Sequence, residues 1–186
     1  MYVIIEVDDH LGSNGATITE LKFLDFNGIS IPYTIPRVYD SFTKGIPYYW
    51  NSTIWDKSKL NDGNINYTSN TTGGTSTALF LWGSSANSGY WARFVVDLDG
   101  QKAAKLQLWA GSPEGRIPKN IKIFIADSYT TANINNRDNT GLKLVKQLNF
   151  DTSNTSVAMY EVSFAGKYLF QDGTEIKTYA SIEYSM

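Results

Sequence analysis

The stretch SGYWARFVVDLDGQKAAKLQLW, residues 88–109, contains two strand-like runs on either side of a tight-turn dipeptide. Residues 90–98 are rich in aromatic and β-branched side chains, as extended strands are. In residues 105–109, two leucines alternate with Lys, Gln and Trp, which predicts one buried and one outward face. Between the runs, Asp99-Gly100 supplies residue types that tolerate the positive φ angles of hairpin turns. The stretch therefore predicts two antiparallel strands paired as a hairpin.

Similar runs occur along the whole chain. In NIKIFIA, for example, Ile121, Ile123 and Ile125 share one face and Lys122 lies on the other. No segment keeps an apolar period of 3.6 residues, so no long helix is predicted. Many short antiparallel strands in a chain of this length favour an all-β sandwich or barrel. The further predicted strands cover residues 2–7, 18–26, 78–83, 120–128, 142–150, 157–164 and 176–185.

The composition limits both the size of the domain and its partners. The chain has 186 residues, 42% of them hydrophobic, which predicts a single domain, residues 1–186, with a packed core. The formal net charge is -2 and the basic residues are scattered, so nucleic acid and anionic membranes are not expected partners. No apolar run is long enough to span a bilayer, so no membrane insertion is expected. The absence of cysteine excludes disulfides, thiolate metal sites and a cysteine nucleophile.

Residues 33–76 are the least regular part of the sequence, and we predict that they form ordered functional loops. Aromatic residues make up 14% of the chain and are dense in PYYWNSTIWD, residues 47–56, and LWGSSANSGYW, residues 81–91. A sugar site needs an aromatic platform beside planar hydrogen-bonding groups, and both stretches have that composition. Alternatively, such rings close the ends of a sandwich, the role that we expect for Trp91. The candidate ligand-binding residues are Tyr49, Trp50, Trp55, Trp82 and Tyr90.

Four segments share an order and spacing with a known domain family. They are ATITELKFLDFNG (16–28), KLNDGNINYTS (59–69), the opening stretch (88–109) and RIPKNIKIFIADSYT (116–130). Together they resemble the galactose-binding-like, discoidin or coagulation factor 5/8 C-type family, which includes many carbohydrate-binding modules. The resemblance implies a jelly-roll sandwich of about eight antiparallel strands with ligand loops at one end. The chain departs from the family pattern at Asp99, where a glycine is usual.

The loop at residues 59–69 is where many members of that family hold one structural calcium ion. Carried over to this sequence, the resemblance implies Asp62, Asn64, Thr68 and Glu20 as ligands, with Glu183 as a second candidate for the terminal carboxylate. Oxygen donors in an irregular turn suit calcium. The alternative is an Asx turn without metal, in which Asp62 bonds nearby backbone amides.

Nothing in the sequence indicates a catalytic centre. The only histidine, His10, has no serine motif to serve, and we expect it to lie in a solvated turn. GSPEGR, residues 111–116, lacks the lysine of a phosphate-binding loop. A pair of carboxylates for glycoside hydrolysis stays open, since any β-rich chain with 18 acidic residues can supply one by chance. Arg93 and Arg116 are expected at the surface or as partners between strands.

The sequence therefore predicts a non-catalytic module that binds a cell-surface glycan or cell-wall polysaccharide. The resemblance places such modules in phage tails, bacteriocins and bacterial surface proteins, which implies an extracellular, virion or cell-surface location. Weak single sites of this kind act through several copies, either as a homo-oligomer or beside neighbouring domains. The alternative is a structural sandwich of a virion or tail assembly that contacts only protein. A third option is a binder of peptides or lipid headgroups of the discoidin type.

Overall fold

The computed structural model describes residues 1–12, 15–45, 57–65, 78–81, 86–111, 115–164, 170–171 and 176–177. The regular elements in these ranges are strands, apart from one 3₁₀ turn, Lys57–Asn61, and one short helix, α1, Thr131–Asn135. No helix in these ranges is long and apolar enough to cross a membrane. The strands are β1 Tyr2–His10, β2 Ala16–Leu24, β3 Ser30–Ile31, β4 Thr34–Asp40, β5 Ala78–Leu81, β6 Trp91–Asp97, β7 Lys105–Ala110, β8 Pro118–Ala126, β9 Lys143–Asn149, β10 Ala158–Ser163, β11 Phe170–Gln171 and β12 Ile176–Lys177.

Most of the strands belong to two antiparallel sheets, which confirms the prediction of an all-β chain. The first sheet has the order β4-β6-β1-β8-β9. The second has the order β10-β7-β2-β3, and β5 also pairs with β2. Strands β11 and β12 form a separate two-stranded sheet. Two five-stranded sheets exceed the predicted total of about eight strands, partly because the two-residue β3 is too short to show a sequence pattern.

The main hydrophobic core lies between the two sheets. Alternate residues of β1 and β8 in the first sheet pack with residues of β2 and β7 in the second. The alternation read from the sequence is confirmed, because Ile121 and Ile123 of β8 and Leu106 and Leu108 of β7 are all fully buried. Two sheets with their apolar faces together make a β-sandwich.

The outer face of the first sheet is covered as well. A second cluster joins Ile4, Val95 and Phe124 on that face to Ile134 of α1. Beside it, Arg93 Nε lies 2.6 Å from a carboxylate oxygen of Glu6, its directly opposed residue on β1, and both side chains are buried. The expectation that Arg93 is a partner between strands is therefore confirmed. The segment around α1 therefore covers a face that carries the Arg93–Glu6 ion pair beside apolar side chains.

The predicted hairpin at Asp99-Gly100 is wrong. Strand β6 pairs with β1 and β4 in the first sheet, whereas β7 pairs with β2 and β10 in the second. The dipeptide does form a turn, with φ of 50° at Asp99 and 74° at Gly100. The turn carries the chain from one sheet to the other, because Leu98 and Ala103 on either side of it are buried between the sheets. Turn chemistry marks where the chain reverses but does not select the strand's partner.

The region predicted to be irregular, residues 33–76, begins with a regular strand. Strand β4 forms one edge of the first sheet, and its register with β6 shifts between Thr34 and Arg37. Pro36 lies within that shift. Proline cannot donate a ladder hydrogen bond, so it is tolerated at an edge strand or a bulge, and here it occupies both. Because a proline within a run argues against a strand, the sequence pattern did not predict β4.

The sandwich has two ends with different loops. At the His10 end, His10 lies opposite Pro118, and Asp8 lies opposite Trp91. At the Met1 end, Tyr2 is paired with Asp97 and with Ala126. The loops before β6 and after β4 therefore meet at the His10 end, whereas the β6–β7 connection and the segment after β8 lie at the Met1 end.

Candidate functional site: an aromatic pair and a carboxylate pair

Two loops at the His10 end are joined through Trp91, the first residue of β6. One is residues 41–45, which follows β4, and the other is residues 86–90, which precedes β6. The backbone N–H of Ser41 donates to the carbonyl oxygen of Trp91 at 2.9 Å. In return, the N–H of Trp91 donates to Oγ of Ser41 at 2.8 Å. This reciprocal pair fixes the spacing between the two loops.

A carboxylate shapes the first loop from within. Oδ1 of Asp40, which is fully buried, accepts hydrogen bonds from the N–H groups of Phe42 at 2.7 Å and Thr43 at 3.1 Å. The backbone of Asp40 and Gly45 closes the turn with bonds of 2.7 and 3.2 Å. Lys44 takes the positive φ of 56° that this tight reversal requires. Phe42 is consequently held at the tip of a rigid turn.

A second carboxylate shapes the other loop in the same way. Asp9 is buried at the end of β1, and its two oxygens accept from the N–H groups of Ser88 at 3.2 Å and Gly89 at 2.7 Å. The backbone N–H of Asp9 donates to the carbonyl oxygen of Tyr90 at 2.7 Å. A buried carboxylate that accepts several N–H bonds stabilises one loop conformation. Tyr90 is therefore positioned by the end of β1.

The two loops bring Phe42 and Tyr90 into contact. Their ring centroids are 5.0 Å apart, with an angle of 62° between the planes, which is an edge-to-face arrangement. Phe42 is 40% exposed although it is a large apolar side chain, and Tyr90 is partly buried against the core. Thr43, Asn87 and Ser88 provide polar groups in the same two loops. The arrangement offers an apolar surface beside hydrogen-bonding groups, the chemistry that a sugar ring requires.

Of the predicted ligand-binding residues, the structure places Tyr90 in this site. Phe42 was missed by the sequence reading. A sequence signal for Phe42 exists, because the residue lies in DSFTKG, residues 40–45, which is typical of a surface turn. An aromatic ring in such a turn is expected to be exposed. The ring centroids of Trp91 and Tyr39 are 5.4 Å apart, and the Arg137 guanidinium lies over the Trp91 ring. The predicted packing role of Trp91 is therefore confirmed. Tyr49, Trp50, Trp55 and Trp82 lie outside the described residues.

His10 is buried at this end, and the expectation of a solvated turn is wrong. Strand β1 extends to His10, which is opposite Pro118 of β8, and its side chain is fully covered. Nδ1 lies 2.9 Å from the carbonyl oxygen of Gly12. Because a carbonyl only accepts, Nδ1 carries the hydrogen of the ring. The histidine thus links the end of β1 to the loop that leads into β2.

The carboxylate pair, Glu20 and Asp62, lies where the 3₁₀ turn and the residues after it cross β2. Oγ1 of Thr19 donates to the carbonyl oxygen of Ile65 at 3.1 Å, and the hydroxyl of Tyr33 donates to that of Leu60 at 2.6 Å. The pairing of β2 with β7 shifts register between Ile18 and Glu20. Bulges of this kind redirect side chains next to functional sites.

Glu20 is 6% exposed, and its Oε2 accepts a hydrogen bond from the N–H of Gly63 at 3.2 Å. Burial and the nearby charge of Asp62 raise the pKa of Glu20 from 4.5 to about 7. Oδ1 of Asp62 accepts from the N–H of Asn64 at 2.9 Å, so the Asx turn predicted as the alternative is present. The ammonium of Lys59 lies 3.6 Å from the other Asp62 oxygen.

The residues of this pair fit a calcium ion in part. A divalent cation bound between two carboxylates reduces the repulsion between their negative charges. Calcium takes its remaining oxygen ligands from carbonyl and amide groups. Glu20 and Asp62 come together as the resemblance implies, and Asn64 follows directly in the turn. Thr68 and Glu183 lie outside the described residues. Within the ranges that the structure describes, no group of three or more acidic or histidine side chains is arranged to hold a metal.

Comparison of the chain with family models, with curated proteins and with solved structures found no match.

Proposed function

We propose that the chain is a non-catalytic carbohydrate-binding module that recognises a cell-surface glycan or cell-wall polysaccharide. The observation that carries the proposal is the contact between Phe42 and Tyr90, on two loops joined through Trp91 at one end of the sandwich. A large ring with 40% of its surface in water, anchored by a buried carboxylate through backbone bonds, is suited to contact a ligand.

The geometry of the two loops supports recognition of a sugar ring. The apolar C–H face of a sugar stacks on Phe42 and Tyr90, and its hydroxyls exchange hydrogen bonds with Thr43, Asn87 and Ser88. Because Asp9 and Asp40 hold both loops through backbone bonds, binding orders few groups and costs little conformational entropy. The pair offers a small contact area, so single-site affinity is weak and attachment needs several copies.

The setting that we propose follows from that weakness. A module of the galactose-binding-like jelly-roll type, repeated in a phage tail, a bacteriocin or a bacterial surface protein, attaches its parent to a cell envelope from outside. Calcium, held by Glu20 and Asp62 with oxygens of Asn64 and Thr68, would tie the loop after the 3₁₀ turn to β2. The ion supplies positive charge that offsets the repulsion of the two carboxylates. Its role is structural, and no bond is made or broken in the ligand.

A pull-down with insoluble bacterial cell-wall polysaccharide, together with a glycan array, tests the proposal. Phe42→Ala is expected to weaken binding roughly tenfold, since an aromatic contact contributes up to about 1.5 kcal/mol beyond the area that it buries. The matched control is Met159→Ala, which removes an apolar side chain of similar exposure, 47%, from β10 on a different part of the surface. If Phe42→Ala binds as the unmodified chain does, the aromatic pair is not the glycan site.

A second function is favoured by the outermost strands of the two sheets. Leu144 of β9 and Met159 of β10 are 50% and 47% exposed, and both strands end their sheets. The ring centroids of Phe150, the residue after β9, and Tyr160 of β10 are 5.0 Å apart, so the two edge strands lie on the same side of the sandwich. Exposed apolar side chains on adjacent edge strands favour contact with protein. This arrangement would serve a structural sandwich in a virion or tail assembly.

A further inference from the structure

The Met1 end of the sandwich contains a cavity that the proposed glycan site does not use. Its volume is about 330 Å³, and it lies between the β6–β7 connection, the end of β8 and the start of β9. Binding sites for small molecules begin at about 300 Å³, so this cavity fits a ligand the size of one sugar unit. Phe42 and Tyr90 lie at the opposite end of the strands.

One part of the cavity wall is apolar. Ala103, Ile125 and Ala126 contribute buried surface, and the side chain of Phe26, from the turn after β2, is 43% exposed. A ring of that exposure at a cavity wall provides a face for C–H groups of a ligand. The apolar wall requires a ligand that has an apolar face of its own.

The rest of the wall carries charge. Lys143 of β9 lies directly opposite Ile125 of β8, so the two side chains share one face of the sheet, and Asp127 follows Ile125 on that face by alternation. Neither Lys143 nor Asp127 forms an ion pair with any residue that the structure describes. Lys102, from the β6–β7 connection, adds a second ammonium group. Lys143 and Asp127 therefore offer a ligand one cation and one acceptor that form no ion pair with the described residues.

Two other acidic residues at this end are engaged within their own turns. Oδ1 of Asp25 accepts from the N–H groups of Asn27 and Ile29, each at 2.8 Å. Oδ1 of Asp97 accepts from the N–H of Asp99 at 2.9 Å. These carboxylates are held by backbone amides at the turns, and neither contributes to the cavity wall.

We propose that this cavity binds a small organic anion of monosaccharide size, of the class of acidic sugars. The carboxylate of the ligand pairs with Lys143, because an ammonium and a carboxylate form charge-assisted hydrogen bonds. A hydroxyl of the ligand donates to Asp127, and the C–H face of the ring lies against Phe26. The inference goes beyond the proposed function, since it assigns a second site with its own residues and ligand charge.

The test is a titration of the full ¹⁵N-labelled chain with sodium D-glucuronate, followed by amide chemical shifts. D-glucose at the same concentration and ionic strength is the neutral comparison. Glucuronate is expected to produce saturable shifts at the amides of Phe26, Lys102 and Lys143, whereas glucose produces much smaller ones. Lys143→Gln is expected to raise the dissociation constant about tenfold, the effect of removing one charge-assisted hydrogen bond. The control Lys119→Gln, which removes the same charge at the other end of β8, is expected to change nothing.

Three results would overturn the proposal. They are the absence of saturable shifts at the cavity, equal shifts with glucose and glucuronate, and equal weakening by Lys143→Gln and Lys119→Gln. Shifts confined to Phe42 and Tyr90 would also overturn it, while leaving the proposed glycan site in place. Conversely, cavity shifts in a chain that binds no polysaccharide would support this site and contradict the proposed function. An otherwise unchanged amide spectrum of Lys143→Gln shows that the variant is folded.

Discussion

At the scale of single residues, Glu20 gives the clearest dependence on pH. Its ordinary pKa is 4.5, and its pKa in the folded chain is about 7. Below pH 4.5 the Glu20 carboxyl is protonated in both the folded and the unfolded chain, so it lowers the free energy of unfolding by nothing. Between pH 4.5 and 7 the unfolded chain ionises while the folded chain keeps its proton, so the free energy of unfolding falls progressively. Above pH 7 both states are ionised and the loss is complete, at about 2 kcal/mol after allowing for screening by solvent. Glu20→Gln removes this penalty, and we expect its melting temperature relative to the unmodified chain to rise between pH 5 and pH 8.

The same residue separates calcium from a plain Asx turn. Millimolar calcium at pH 8 is expected to raise the melting temperature of the unmodified chain, because the ion binds the ionised pair, and EDTA is expected to reverse the effect. Glu20→Gln should show little response to calcium. Glu161→Gln, which alters an exposed carboxylate paired with Lys105, is the control and should keep the full response. A melting curve that is identical with calcium and EDTA would contradict the metal site.

At the scale of elements, one side chain organises the segment around α1 that covers the first sheet. Asn133 is buried, its Oδ1 accepts from the N–H of Thr130 at 2.7 Å, and its Nδ2 donates to the carbonyl oxygens of Asp138 and Thr140, both at 3.0 Å. Asn133→Ala leaves these groups unpaired and is expected to cost about 2–4 kcal/mol. Hydrogen exchange should show reduced protection of the amides of residues 129–142 before protection falls in β7 and β10. Asn135→Ala, in the same helix, removes one bond of 3.3 Å from Arg37 and is expected to cost much less. Equal loss of protection across both sheets would contradict a local role.

At the scale of the whole molecule, the outer edges decide between the two proposed functions. Strand β9 carries Lys143 and Lys146 beside the exposed Leu144, and lysines on an edge strand oppose pairing with another chain. We therefore expect a monomer in solution, measured by light scattering after gel filtration. A dimer that Leu144→Lys converts to a monomer would favour the structural sandwich over the glycan-binding module.

The sequence alone determined most of the extended segments, with β3 and β4 among the exceptions. Alternation in β7 and β8 and the turn residues at Asp99-Gly100 are local patterns, since they depend on which face of a strand is apolar and on the φ angle a residue tolerates. Tyr90 was identified in the same way, as an aromatic residue beside polar loop residues. Local patterns say nothing about partners, which is why they predicted β6 and β7 as a hairpin.

The tertiary structure decided which strands pair and which side chains meet. Each strand has several sequence-compatible partners, and the pairing that buries both apolar faces between the sheets is selected over the nearest one along the chain. That choice buries His10 and Arg93, joins Glu20 to Asp62, and brings Phe42 against Tyr90. These pairs are far apart in sequence, and their contacts arise because the chain closes long loops to complete one core, a gain that no short window of residues contains.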